Sequence, residues 1–113
     1  MSVTSGKQPE RRVWRRRSVK PSVRMTCQLG SMGLGPNIAL SACDVSEVAA
    51  RFVVKVALAA GQEVEINFFG PARNRPVKRM AKIVWCVGRD PSTWWIVARF
   101  DRRLEYADFQ YLV

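Results

Sequence analysis

Five arginines stand within seven residues, Arg11, Arg12, Arg15, Arg16 and Arg17, in the run RRVWRRR. A guanidinium is a planar fork of donors: it pairs bidentately with phosphate oxygens or with the O6 and N7 edge of guanine, and its flat face stacks on a base. Arg12 and Arg16 are four positions apart, which puts them on one side about 13 Å apart in an extended chain. In a helical turn they share a face about 6 Å apart. Either conformation lets both address one anionic ligand. Further along the chain, Asp44-Val45-Ser46 supplies the complementary chemistry. In extended backbone residues i and i+2 emerge on one face; Asp accepts from the N1 and N2 donors of guanine, and Ser donates to a phosphate or accepts from a base. A turn in which Asp and Ser bond their own backbone is the other reading of the same tripeptide.

Composition narrows the chemistry. The chain of 113 residues contains no His, so it lacks the commonest general base and the commonest zinc ligand. A non-catalytic protein is expected, with neither metal nor cofactor. Cys27, Cys43 and Cys86 are odd in number, lack CxxC spacing and lie in apolar stretches, which reads as small buried hydrophobes in a reducing compartment. The net charge of +10 is concentrated: residues 1–24 carry eight Lys or Arg against the single Glu10. Such asymmetry implies an anionic partner for the N-terminal segment. The most apolar stretch, Val48 to Ala60, contains Arg51 and Lys55 and is too short to span a bilayer. No apolar segment of signal-peptide type precedes the body, and a cytoplasmic protein without membrane insertion is expected.

The length suits one domain with its own core. Residues 1–21 have little to bury and read as a flexible basic arm; residues 22–113 read as the folded unit. Val23, Met25, Cys27 and Leu29 alternate with Arg24, Thr26 and Gln28, the period-2 pattern of a half-buried strand. Five further runs, Ile38–Cys43, Arg51–Val56, Val64–Phe69, Ala81–Val87 and Trp94–Phe100, are short, rich in β-branched or aromatic residues and bounded by turn formers. Val64, Ile66 and Phe68 are expected on one face with Glu65 and Asn67 on the other; likewise Ala81, Ile83, Trp85 and Val87 opposite Lys82 and Cys86. Six such strands predict an all-β fold in the main, a closed or nearly closed antiparallel barrel that hides its edges. Gly30 to Asn37 and Gly70 to Arg79 read as loops, the second a solvated tip bearing Arg73, Arg75, Lys78 and Arg79. Leu104 to Val113 predicts a short C-terminal helix burying Leu104, Ala107, Asp108, Tyr111 and Leu112.

With these pieces in order, the chain resembles the PilZ domain family. The family's RxxxR signature appears as Arg12-Val13-Trp14-Arg15-Arg16, with Arg11 and Arg15 as a second register and Arg17 as a further candidate. Its [D/N]xSxxG signature appears as Asp44-Val45-Ser46-Glu47-Val48-Ala49. The resemblance covers essentially the whole body and implies a bacterial six-stranded barrel with a C-terminal helix. It also implies binding of cyclic dimeric GMP as a second messenger, through Arg12, Arg16, Asp44 and Ser46. Ligand capture would close the arm onto the barrel and alter the surface shown to a downstream protein partner. Ala49 departs from the signature glycine: its methyl would crowd the ligand, and while an ordinary β backbone there would cost little, an αL backbone would cost about 1 kcal/mol or more. A family member that binds a protein partner without the nucleotide is therefore the alternative reading. A single-stranded nucleic-acid binder using Trp14, Trp94 and Trp95 is a third and weaker one, because one of the two adjacent tryptophans is expected in the core.

Overall fold

The computed structural model describes residues 15–30 and 34–113. In chain order its elements are β1 (Arg17–Ser18), β2 (Arg24–Leu29), β3 (Ala39–Val45), β4 (Ala49–Val54), β5 (Glu63–Phe69), β6 (Val77–Asp90), β7 (Thr93–Phe100) and one helix, α1 (Tyr106–Leu112). All seven strands form a single antiparallel sheet ordered β1-β3-β4-β7-β6-β5-β2. The sheet curls into a half-barrel, and its far strand returns toward β3: the Ile38 N–H donates to the Cys27 carbonyl at 2.9 Å. No helix among the described residues is long and apolar enough to cross a membrane.

The concave side holds the core, in which Phe52, Phe68, Ile66 and Ile96 are fully buried. Phe68 and Phe100 meet edge to face with centroids 6.5 Å apart, a favoured aromatic geometry. The mainly β architecture with one C-terminal helix follows the period-2 pattern of the sequence. The strand count is seven rather than six, because Arg17 and Ser18 of the basic arm pair with Val45 and Asp44 of β3. What holds them is the next residue: Val19 packs against the core and its N–H donates to the Cys43 carbonyl at 3.2 Å.

Several expected orientations are corrected. β6 pairs Ile83 with Ala98 and then Trp85 with Val97, so one extra residue is accommodated at Val84. A β-bulge of this kind inverts the side-chain phase beyond it. Trp85 and Val87 consequently face outward, 38% and 53% exposed, while Cys86 packs against the core. β6 also begins at Val77, so Lys78 and Arg79 belong to a strand and not to the preceding loop. Glu65 and Asn67, on the face opposite Val64, Ile66 and Phe68, are buried as well. β5 runs between β2 and β6, and the Asn67 amide donates to Glu65 Oε2 at 3.2 Å while Lys78 Nζ lies 3.9 Å from Oε1.

Around α1 the buried side chains are Leu104, Phe109 and Leu112, whereas Ala107 is exposed. Phe109 and Leu112 are three apart on one helical face, and the large aromatic ring takes the place expected for Ala107. Asp108 and Tyr111, half-buried, turn to the β5–β6 loop: Asp108 pairs with Arg73 at 2.9 Å, and the Tyr111 hydroxyl donates to the Pro71 carbonyl at 2.7 Å. Among the cysteines only Cys27 is fully buried; Cys43 and Cys86 are partly so, and all three are free thiols.

Candidate functional site

Asp44 lies near the end of β3, in a stretch where the pairing to β4 shifts register between Ala42 and Asp44. Its register partners are Arg51 on β4 and Ser18 on β1. Arg51 approaches one carboxylate oxygen with two nitrogens, Nε at 3.0 Å and Nη2 at 2.8 Å from Oδ2. The other oxygen, Oδ1, is buried and accepts no hydrogen bond. Arg16 Nη1 stands 3.8 Å from it, an ion-pair distance too long for a hydrogen bond. The pairing of Ser18 with Asp44 explains the approach, since it fixes the chain two residues after Arg16.

The Arg51 guanidinium also lies over the Trp95 ring, 5.1 Å from its centroid, and Arg89 lies over the same ring at 5.6 Å. Both distances fall within the reach of cation–π attraction. Adjacent Trp94 packs against the core, so the two tryptophans divide between the faces of β7 as expected, and Trp95 forms the floor on which Arg51 rests. Cys43 sits in this group with its thiol pushed up, chiefly by burial and against the opposing field of Arg51. The site thus combines one carboxylate, three guanidiniums and an indole.

Ser46 follows the last residue of β3 and is 2% exposed. Its hydroxyl accepts from the N–H of Val48 at 3.2 Å and of Ala49 at 3.1 Å, and the Ser46 N–H donates to the Ala49 carbonyl at 2.8 Å. The extended backbone that would put Asp44 and Ser46 on one face therefore stops at Val45. Ser46 instead builds the turn between β3 and β4. Ala49 is the first residue of β4, opposite Arg99 of β7. Among the described non-glycine residues positive φ occurs at Ala72, so Ala49 has no left-handed backbone that would require glycine. Its methyl group is what distinguishes it from the signature glycine.

Arg15 and Arg17 are exposed, and Arg17 is paired through its backbone with Val45. Arg11 and Arg12, with Trp14, lie outside the described residues. Of the expected site residues, Arg16 and Asp44 are brought together; Ser46 is nearby but committed to its own turn. Sequence reasoning missed Arg51. Its signal was present, because Ala49 and Arg51 share the outward phase of a strand that starts directly after the turn. Among the described residues no group of three or more His, Cys, Asp or Glu is placed to hold a metal ion.

The chain matches no protein-family model and no curated protein. Its function must therefore be argued from the site.

Proposed function

We propose that the protein is a non-catalytic receptor domain for cyclic dimeric GMP, of the PilZ type, whose basic arm closes on the ligand. One observation carries this reading: Arg16 of the arginine run stands over Asp44, whose Oδ1 is buried and has no hydrogen-bond donor. A buried acceptor without a donor is unfavourable, and a guanine N1–H or N2–H would satisfy it. Arg16 and the arm's other arginines would take the phosphates and the opposite guanine edge. The ligand would tighten the arm along β3, and that change would be offered to a downstream protein in the cytoplasm.

The reading is tested by comparing nucleotide binding of the native chain with Arg16→Ala, Asp44→Ala and the control Arg75→Ala, whose side chain is exposed in the β5–β6 loop. The first two are expected to weaken binding by about tenfold or more, as for loss of a charge-assisted hydrogen bond. Equal affinities in all four proteins would contradict it.

A second reading is favoured by Ser46 and Ala49. The Ser46 hydroxyl already accepts two backbone N–H groups, and Ala49 carries a methyl group where the resembled signature has glycine. Under that reading the domain keeps the barrel and binds a protein without the nucleotide. Ala49→Gly discriminates between the two, since recovery of nucleotide binding only in the glycine variant supports the second.

A further inference from the structure

Along β6, Val77, Arg79, Ala81 and Ile83 occupy alternate buried positions, and Arg79 is the charged member of that row, 7% exposed. A guanidinium cannot shed its charge, so its burial demands compensation. Two of its donors are met by backbone carbonyls: Nη1 donates to Lys78 O at 2.8 Å and Nη2 to Arg103 O at 3.3 Å. Nε is buried without an acceptor. None of the ion pairs among the described residues includes Arg79. Carbonyl dipoles offset part of the charge, and among the described residues no carboxylate stands within ion-pair distance of it.

Arg79 borders a cavity of about 350 Å³ whose wall also includes Glu47, Arg102, Arg103, Glu105 and Tyr106. A second cavity of about 150 Å³ shares Arg79 and Arg102 and reaches toward Lys78 and Asp101. Among the described residues three guanidiniums and two carboxylates line the larger space. Arg102, Arg103 and Glu105 are exposed and Glu47 is half-buried, so water screens them; Arg79, 7% exposed, is the most deeply buried of these charges. The cavity lies against the turn between β3 and β4, where Leu104 N–H donates to the Glu47 carbonyl at 2.7 Å and Phe100 N–H to the Val48 carbonyl at 2.8 Å.

We propose that this cavity binds a phosphate group, with Arg79 at its floor and Arg102 and Arg103 at its rim. A tetrahedral phosphate offers more acceptor oxygens than a carboxylate and can take charge-assisted hydrogen bonds from more than one guanidinium on the cavity wall at once. The site uses neither Arg16 nor Asp44 and stands or falls apart from the nucleotide reading.

The experiment titrates inorganic phosphate into the full chain at constant ionic strength, with chloride as the balancing ion, and follows the Nε–Hε resonance of Arg79 by NMR. A saturable shift is expected. In Arg102→Ala/Arg103→Ala, whose substituted side chains are exposed, the dissociation constant should rise about tenfold or more. Arg79→Lys keeps charge but loses the fork and the reporter resonance, so it is followed through the backbone amide resonances of Arg102 and Arg103, whose saturable phosphate shifts it should abolish if it folds; the rim variant keeps the test decisive if it does not. Absence of a saturable shift, a shift reproduced by chloride, or an unchanged constant in the rim variant would overturn the proposal. An equal saturable response to acetate would reassign the cavity to carboxylates and overturn the choice of phosphate.

Discussion

Arg51 and Asp44 face each other across β3 and β4, and the guanidinium holds a single carboxylate oxygen with two nitrogens, at 3.0 and 2.8 Å. The second oxygen is left toward Arg16 at 3.8 Å. One carboxylate therefore links the sheet to the basic arm. Trp95 beneath Arg51 keeps that guanidinium in place.

The Arg51 side chain is 37% exposed, which limits what the pair contributes through solvent screening. A double-mutant cycle of Arg51→Ala with Asp44→Ala, read by urea unfolding, should give a coupling of about 0.5–1 kcal/mol. A coupling indistinguishable from zero would show that the pairing does not hold the strands together.

Ala49→Gly separates stability from ligand access. Ala49 lies in strand backbone without positive φ, so glycine brings no relief of strain and should destabilise the fold by about 0.5–1 kcal/mol. Urea unfolding measures this. Stabilisation by glycine would mean that the alanine is strained.

Gly70 is required by its neighbour. A Cβ there would stand 2.5 Å from the Tyr111 hydroxyl oxygen, and Tyr111 has little room to move, with Arg73 4.0 Å above its ring and Pro71 accepting its hydroxyl. Gly70→Ala should cost about 1–3 kcal/mol through overpacking. Tyr111→Phe should cost about 0.5–1.5 kcal/mol through the lost hydrogen bond. In the double variant the penalty of Gly70→Ala should shrink only in part, because the hydroxyl oxygen is gone but ring carbon Cζ, 2.8 Å from the added Cβ, remains; a Gly70→Ala penalty near zero in thermal or urea unfolding would argue against the clash.

Burial pushes the Cys27 thiol up to about 12 from its ordinary value of 9.0. The unfolded chain loses this proton above pH 9 while the native protein keeps it. The unfolded state then binds fewer protons, so stability falls with rising pH by about 1.4 kcal/mol per unit until the native thiol ionises. Below pH 9 both states are protonated and the group contributes nothing to the slope. Compared with Cys27→Ala, the native chain should therefore lose about 1.4 kcal/mol more between pH 8 and pH 10 in urea titrations. Parallel pH profiles would contradict the burial of this thiol.

Much of the sheet was legible because alternation is a local signal. β2, β5 and β7 begin and end within a residue or two of where Val23–Leu29, Val64–Phe69 and Trp94–Phe100 placed them. The bulge at Val84 was not legible, since it depends on how many residues β7 presents opposite β6. Nor was the burial of Arg79: a basic residue beside Lys78 after a Gly-Pro loop reads as solvated, and only the phase of Val77, Ala81 and Ile83 draws it inward. At the site, residue types gave Asp44 and the arm's arginines. That Ser46 spends its hydroxyl on the turn, and that Arg51 claims half of Asp44, are results of backbone geometry and strand pairing. β1 depended on Val19, one apolar residue in a basic segment, finding the core.

The central claim is that Asp44 and the arm receive cyclic dimeric GMP, and isothermal titration calorimetry of the native chain with this nucleotide tests it most directly. The account predicts saturable heat with micromolar or tighter affinity, weakened by about tenfold or more in Asp44→Ala. No saturable heat from a protein shown to be folded under the same conditions would contradict it.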